Sequence, residues 1–278
     1  MAIMLVCGAL LVAGLVVGIA GRHQRFRSPP VEGRPSVGEV ARRYVWYVSL
    51  AVLAGSAAGV TTIGAGGRLA MRLLAVTGGD DAQGRITEAD EVVGRITLGG
   101  TIGFMVFNGL FLGIAGAALY LLTRRLLPAG LIGGVVFGAG LLVLLGTTLE
   151  PLRDDNPDFD LVGPGWLAVL VFSGLALAYG IALAAFTARL SAWLPLLSTA
   201  PRVLVRYAWP ALVALAGTVV TVAVAATGVA VVAATRWDRL PCLVRSRRAV
   251  LIGRVVLGAA VLAALPGALS SIVDIVNR

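Results

Sequence analysis

The stretch "GSAAGVTTIGAGGRLAMRLLAVTGG", residues 55–79, begins inside an apolar run and ends as an arginine-bearing segment. Where it changes character decides how the chain is threaded. Residues 44–63 carry no charge, enough chain to cross a hydrocarbon layer of about 30 Å. Gly64, Gly66 and Gly67 then arrive together, followed by Arg68 and Arg72 at helical i,i+4 spacing. The glycines can end the span and leave 68–76 as a short amphipathic helix in the interface. The alternative is a helix that runs straight on, about two turns into water.

Working outward from there, composition sets the class. Of 278 residues 58% are hydrophobic and 13% charged, with a mean hydropathy of +0.93. Soluble domains carry roughly 25% charged residues, so an all-α, polytopic transmembrane bundle is the expected fold. The 36 glycines fit close helix packing in lipid. Every one of the 23 basic residues is arginine, which excludes Schiff-base cofactors that need a lysine amine. The net charge of +9 points to a membrane surface as partner and not to nucleic acid. His23 is the single histidine, leaving the zinc and haem patterns without ligands. Cys7 and Cys242 lie in unlike settings and read as free thiols. No cofactor is expected.

Apolar length predicts about seven spans, near 2–20, 44–63, 97–122, 129–149, 164–187, 208–235 and 249–273. The first lacks a charged leader and is read as a retained span. Arg22, Arg25, Arg27, Arg34, Arg42 and Arg43 separate spans one and two, which places 21–43 in the cytoplasm and the N-terminus outside. Alternation then makes 64–96 an external charged loop with helix extensions, 150–160 an external acidic loop, and the C-terminus cytoplasmic. One segment strains this threading. "RWDRLPCLVRSRR" (236–248) carries five arginines and falls outside.

Glycines four apart let helix backbones approach. Gly14/Gly18, Gly55/Gly59, Gly99/Gly103, Gly109/Gly113 and the Gly130, Gly134, Gly138 stripe all have this spacing. They serve either a tight monomeric bundle or a seam with another protein.

The external loops hold the candidate sites. In "GRITEADEVVGR" (84–95), Thr87 and Asp90 resemble a capping box. Glu88, Asp90 and Glu91 would then occupy the first turn of a helix leading into span three, with Glu91 and Arg95 as an i,i+4 pair. Three readings of Arg68 and Arg72 stand side by side: snorkelling to lipid phosphates, a structural ion-pair network, or an anion site held by Glu88, Asp90 and Glu91. The stretch "GRLAMRLLAVTG…ITEADEVVGRITLGG" is similar to a recurrent segment in uncharacterised multi-span membrane proteins of actinobacteria. That resemblance covers about residues 64–125 and implies a bacterial source but no activity.

"DDNPDFD" (154–160) alternates oxygen donors as a calcium loop does, through Asp154, Asn156, Asp158 and Asp160. Phe159 replaces the glycine and Gly165 the bidentate glutamate. The other reading is an acidic loop docked on Arg236, Arg239 or Arg245. Within the spans only Arg254 and Asp274 are ionisable, and Asn108 is the one mid-membrane amide, expected in an interhelical hydrogen bond. No nucleophile–base pair or intramembrane aspartate pair is present, so an enzyme is not expected. The sequence thus predicts a bacterial plasma-membrane protein that binds, senses or transports a small anionic or lipid-like ligand near its external face. The alternative is an accessory subunit that docks a partner membrane protein through glycine-lined faces and arginine-rich loops.

Overall fold

The computed structural model describes residues 1–20, 24–30, 36–149, 151–216, 226–230 and 246–278. Among them the regular structure is helical apart from one isolated antiparallel bridge, Ile86 to Val92. Five helices are long and apolar enough to cross a membrane: α1 (Ala2–Ala20), α2 (Val37–Thr77), α3 (Leu98–Thr123), α5 (Gly165–Trp193) and α8 (Arg247–Val276). α4 (Leu131–Leu145) is apolar but shorter. α6 (Pro201–Arg206) and α7 (Ala208–Ala216) are brief.

The segment around Gly64 takes the second of the two courses open to it. α2 does not stop at the glycines; it runs unbroken for 41 residues, about 60 Å. Gly59–Gly64 is π-helical, as is Met105–Leu112 in α3. The two widened stretches face each other, and glycine permits the contact. A Cβ on Gly55 would stand 2.6 Å from the Gly113 carbonyl oxygen, and one on Gly113 2.5 Å from that of Gly55. Gly59 meets the Gly109 carbonyl more closely still. Farther out, Gly66 lies against Leu175 and Leu11, and Gly67 against the Phe104 ring. The outer glycines are therefore packing surfaces and not helix ends.

The same logic builds the rest of the bundle. Gly14 abuts Thr61, and Gly18 abuts Ile181 and Ala182. Gly134 and Gly138 of α4 lie on Gly180 and Ala176 of α5. Every glycine pair named from the sequence is thus spent inside the chain except Gly99 and Gly103, which have nothing within 4 Å, and Gly130, which is likewise open. The buried centre holds Ala54, Ala58, Ala117, Tyr179 and Leu183. Tyr179 donates its hydroxyl hydrogen to the Gly113 carbonyl (2.8 Å). Small residues at this centre suit lipid, where packing and not water exclusion joins helices. Thr61 and Thr62 donate to carbonyls of their own helix. Asn108 makes no side-chain hydrogen bond among the described residues, contrary to its expected interhelical role.

These contacts sort the loops into two ends. One end gathers 24–30, the start of α2, 124–130 and 194–207. Its aromatic cluster packs Trp46 against Phe26 and Tyr47. There Trp46 Nε1 donates to the Leu194 carbonyl (2.8 Å), Tyr207 to that of Pro195 (2.7 Å), and Arg124 lies over the Phe26 ring. Burial pushes the Tyr207 phenol up to about 12. The other end gathers residues 78–97, 151–164 and the C-terminus, where Arg278 donates to the carbonyls of Asp154 (2.5 Å) and Asn156 (3.4 Å).

Finding Arg278 there corrects the threading. Residues 208–235 were expected to cross. Instead, Tyr207 packs with Trp46 and Leu50, Trp209 donates to Ser56 (3.1 Å), and Tyr44 is hydrogen-bonded to Thr227 (2.6 Å). α8 then starts at the same end, with Arg254 Nε donating to the Leu126 carbonyl (3.1 Å). The described parts of 208–235 therefore both pack on the Tyr44–Ser56 part of α2, while residues 217–225 and 231–245 lie outside the described residues. Arg236, Arg239, Cys242 and Arg245 fall in the latter stretch, and His23 in residues 21–23.

Charge divides the ends sharply. Among the described residues the aromatic end carries Arg25, Arg27, Arg42, Arg43, Arg124, Arg125, Arg189, Arg202, Arg206, Arg247 and Arg248, with Glu39 its sole acid. The opposite end carries Arg68, Arg72, Arg85, Arg95, Arg153 and Arg278 among a majority of carboxylates.

Candidate functional site

The mixed-charge end is a cap assembled from three pieces: the last turns of α2, a hairpin at 84–94, and the 151–164 loop. The hairpin replaces the expected helix start. Thr87 N donates to the Glu91 carbonyl (2.9 Å), Val93 N to that of Arg85 (2.9 Å) and Gly84 N to that of Val93 (3.1 Å). Asp90 turns the chain at φ 56°, with Gly84 and Gly94 also left-handed. Aspartate tolerates that conformation, and Ile86 and Val92 suit an extended pair. Helix α3 begins only at Leu98, its N-cap Thr97 accepting from Gly100 N. Glu88, Asp90 and Glu91 therefore sit in a tight turn and cap nothing, and Glu91 and Arg95 are not one helical turn apart.

The acids and arginines pair differently from the sequence expectation. Glu88 is held by Arg153, whose Nη2 reaches its carboxylate at 2.6 Å while Nε meets Asp155 at 2.8 Å. Glu88 N also donates to Asp158 Oδ1 (2.8 Å), so two contacts lock the hairpin to the loop. Arg278 meets Asp160 at 3.3 Å. Within the loop, Asn156 Oδ1 accepts from Asp158 N (2.8 Å). Asn156, Asp158 and Asp160 thus spend their oxygens on separate partners. Among the described residues no group of three or more metal-ligating side chains is placed to hold an ion.

Arg68 and Arg72 remain. Both are half-buried on the outer turns of α2. Arg68 Nη2 donates to the buried Thr101 hydroxyl (3.2 Å), its Nη1 lies 3.9 Å from the Met71 sulfur, and its guanidinium stands 5.7 Å from the Phe104 ring centre. Arg72 Nη1 donates to the Gly94 carbonyl (3.3 Å). Neither forms an ion pair with a described carboxylate. The Glu91 carboxylate comes near Arg68, since the two flank Gly100 at 3.0 and 3.5 Å from where its Cβ would stand. Asp90 engages neither arginine.

The structure thus brings Arg68, Arg72 and Glu91 to one locality, gives Glu88 to Arg153, and leaves Asp90 as a turn residue. Sequence reading passed over Thr101, Phe104, Arg153 and Arg278. Arg153 sits among acids in "EPLRDD", which was a signal, but nothing local marks Thr101 or Phe104 as neighbours of Arg68.

No family model, curated protein or solved structure matches this chain. Its reading therefore rests on the geometry of the cap.

Proposed function

We propose that this chain is a non-enzymatic protein of a bacterial plasma membrane that binds a small anionic or lipid-like ligand at its external face, through Arg68 and Arg72. One observation carries the reading: in a cap where Arg153 and Arg278 meet carboxylates, these two half-buried guanidiniums hydrogen-bond only neutral groups among the described residues and form no ion pair there, although the Glu91 carboxylate stands nearby. A cation that is positioned but not neutralised is the ordinary preparation for a carboxylate or phosphate. Thr101 and Phe104 would hold Arg68, and the Gly94 carbonyl would hold Arg72. The acids are thereby relieved of the supporting role expected for them.

The orientation follows the arginines. Cytoplasmic loops carry the positive excess, so the aromatic, arginine-rich end faces the cytoplasm and the cap faces outward. Six helices then cross (α1 to α5 and α8), with both termini external. The strain at 236–248 came from assigning a crossing to 208–235. Without it the chain re-enters through Arg247 and Arg248 from the cytoplasmic side. The accessory-subunit reading loses ground because most glycine faces are filled by the chain's own helices.

Calorimetric titration with inorganic phosphate and glycerol 1-phosphate tests the site. Arg68→Ala/Arg72→Ala should abolish saturable binding while the melting temperature stays put. Unchanged binding, or stability lost in parallel with it, would sink the proposal. For orientation, an impermeant maleimide applied to intact cells should label Asp81→Cys and Arg278→Cys in a Cys242→Ser background, and Ser36→Cys only after permeabilisation. Seven crossings would protect position 278.

A further inference from the structure

At the end opposite the cap, an open recess of about 380 Å³ lies beside the first turns of α8, lined by Arg247, Val250, Leu251 and Arg254. These positions recur at i, i+3, i+4 and i+7, so they form one stripe of the helix. The two arginines stand two turns apart, roughly 10 Å along the axis, with Val250 and Leu251 as an apolar floor between them. Arg254 is anchored: its Nε donates to the Leu126 carbonyl (3.1 Å), and the Leu126 side chain packs on Gly253. That bond leaves both Nη nitrogens without an acceptor among the described residues. Arg247 has no ion pair or side-chain hydrogen bond among them either. Glu39, the only described acid at this end, is committed to Ser36 N at the start of α2.

The surroundings say what can neutralise these charges. Leu251 in the recess and, farther along α8, Val255 and Leu262 are 63%, 63% and 69% exposed, and they continue one face toward the middle of the helix. In a bilayer that face lies against hydrocarbon, so the anion best placed to reach the guanidiniums is one already carried in the leaflet. A molecule with a negative head and a hydrocarbon tail meets both the charges and that face.

We propose that this recess holds the phosphate of an anionic phospholipid, drawn from the leaflet that borders the arginine-rich end. Arg247 and Arg254 take the head group, and an acyl chain lies along Leu251, Val255 and Leu262. Two guanidiniums against one phosphate leave surplus positive charge, so an anionic lipid is preferred over a zwitterionic one.

Native mass spectrometry of the full chain, released from mixed phosphatidylglycerol and phosphatidylcholine micelles, tests this. The wild-type chain should retain phosphatidylglycerol in preference, and Arg247→Ala/Arg254→Gln should lower that preference about tenfold or more. Glutamine keeps a donor for Leu126, and Arg247→Ala alone, which disturbs no described hydrogen bond, should produce part of the loss in a folded chain. Arg278→Ala, at the opposite end of the molecule, should leave lipid retention unaltered, which ties the effect to this recess. Equal retention of the two lipids, undiminished preference in the double variant, or displacement of the lipid by inorganic phosphate would overturn the proposal.

Discussion

The α2–α3 seam and the mixed-charge cap are built on opposite principles. At the seam, Gly55, Gly59, Gly109 and Gly113 bring two backbones into contact with no space for a methyl group. In the cap, long charged side chains reach across loops that are largely exposed, and Arg153 and Glu88 keep 27% and 46% of their side-chain surface in contact with solvent. Dispersion at contact distance disappears when backbones are pushed apart. A solvated ion pair gains little because water competes for both partners. The seam therefore carries stability and the cap carries arrangement.

Substitutions can break that contrast in order of size. Gly59→Val drives a branched side chain into the Gly109 carbonyl, and overpacking of this kind costs about 3 kcal/mol or more. The expected outcome is a chain that fails to give a monodisperse species in detergent chromatography. A well-folded Gly59→Val protein would show that the seam is loose. Arg153→Ala frees Glu88 and Asp155, and exposed pairs are worth about 1 kcal/mol at most. Its melting temperature should fall by only a few degrees, while proteolysis within 84–94 should quicken because the hairpin loses a tether. A collapse as large as that of Gly59→Val would overturn the division of labour. Arg278→Ala should have the smallest effect, roughly 0.5 kcal/mol, read as a shift near the error of a thermal melt.

The two regions were also unequally legible. Glycine spacing in "GSAAGVTTIG" announced close helix contact, and the contact is there. At Gly64, Gly66 and Gly67 the sequence left a helix end and a continuous helix both open, because glycine marks a tight neighbour as readily as a chain end. "ITEADEVVG" looked like a capped helix since Thr87, Glu88 and Asp90 favour helix starts. Asp90 in a left-handed conformation and the Ile86–Val92 pairing made it a hairpin instead. Arg68 and Arg72 stood out by their charge beside an apolar run. Their partners did not, since Thr101 and Gly94 lie more than twenty residues away in sequence.

From its residues alone this protein was bound to be an all-helical membrane chain with its arginines concentrated at one surface, because the transfer cost of apolar and charged groups is a property of each short segment. Tertiary structure decided where the described parts of 208–235 pack, which end receives the C-terminus, and which arginines meet a carboxylate among the described residues. Those outcomes depend on contacts between segments far apart along the chain, such as Tyr44 with Thr227 and Arg278 with Asp160. A hydropathic run is equally suited to traversing a bilayer and to turning back against a neighbouring helix, and only the neighbour distinguishes the two.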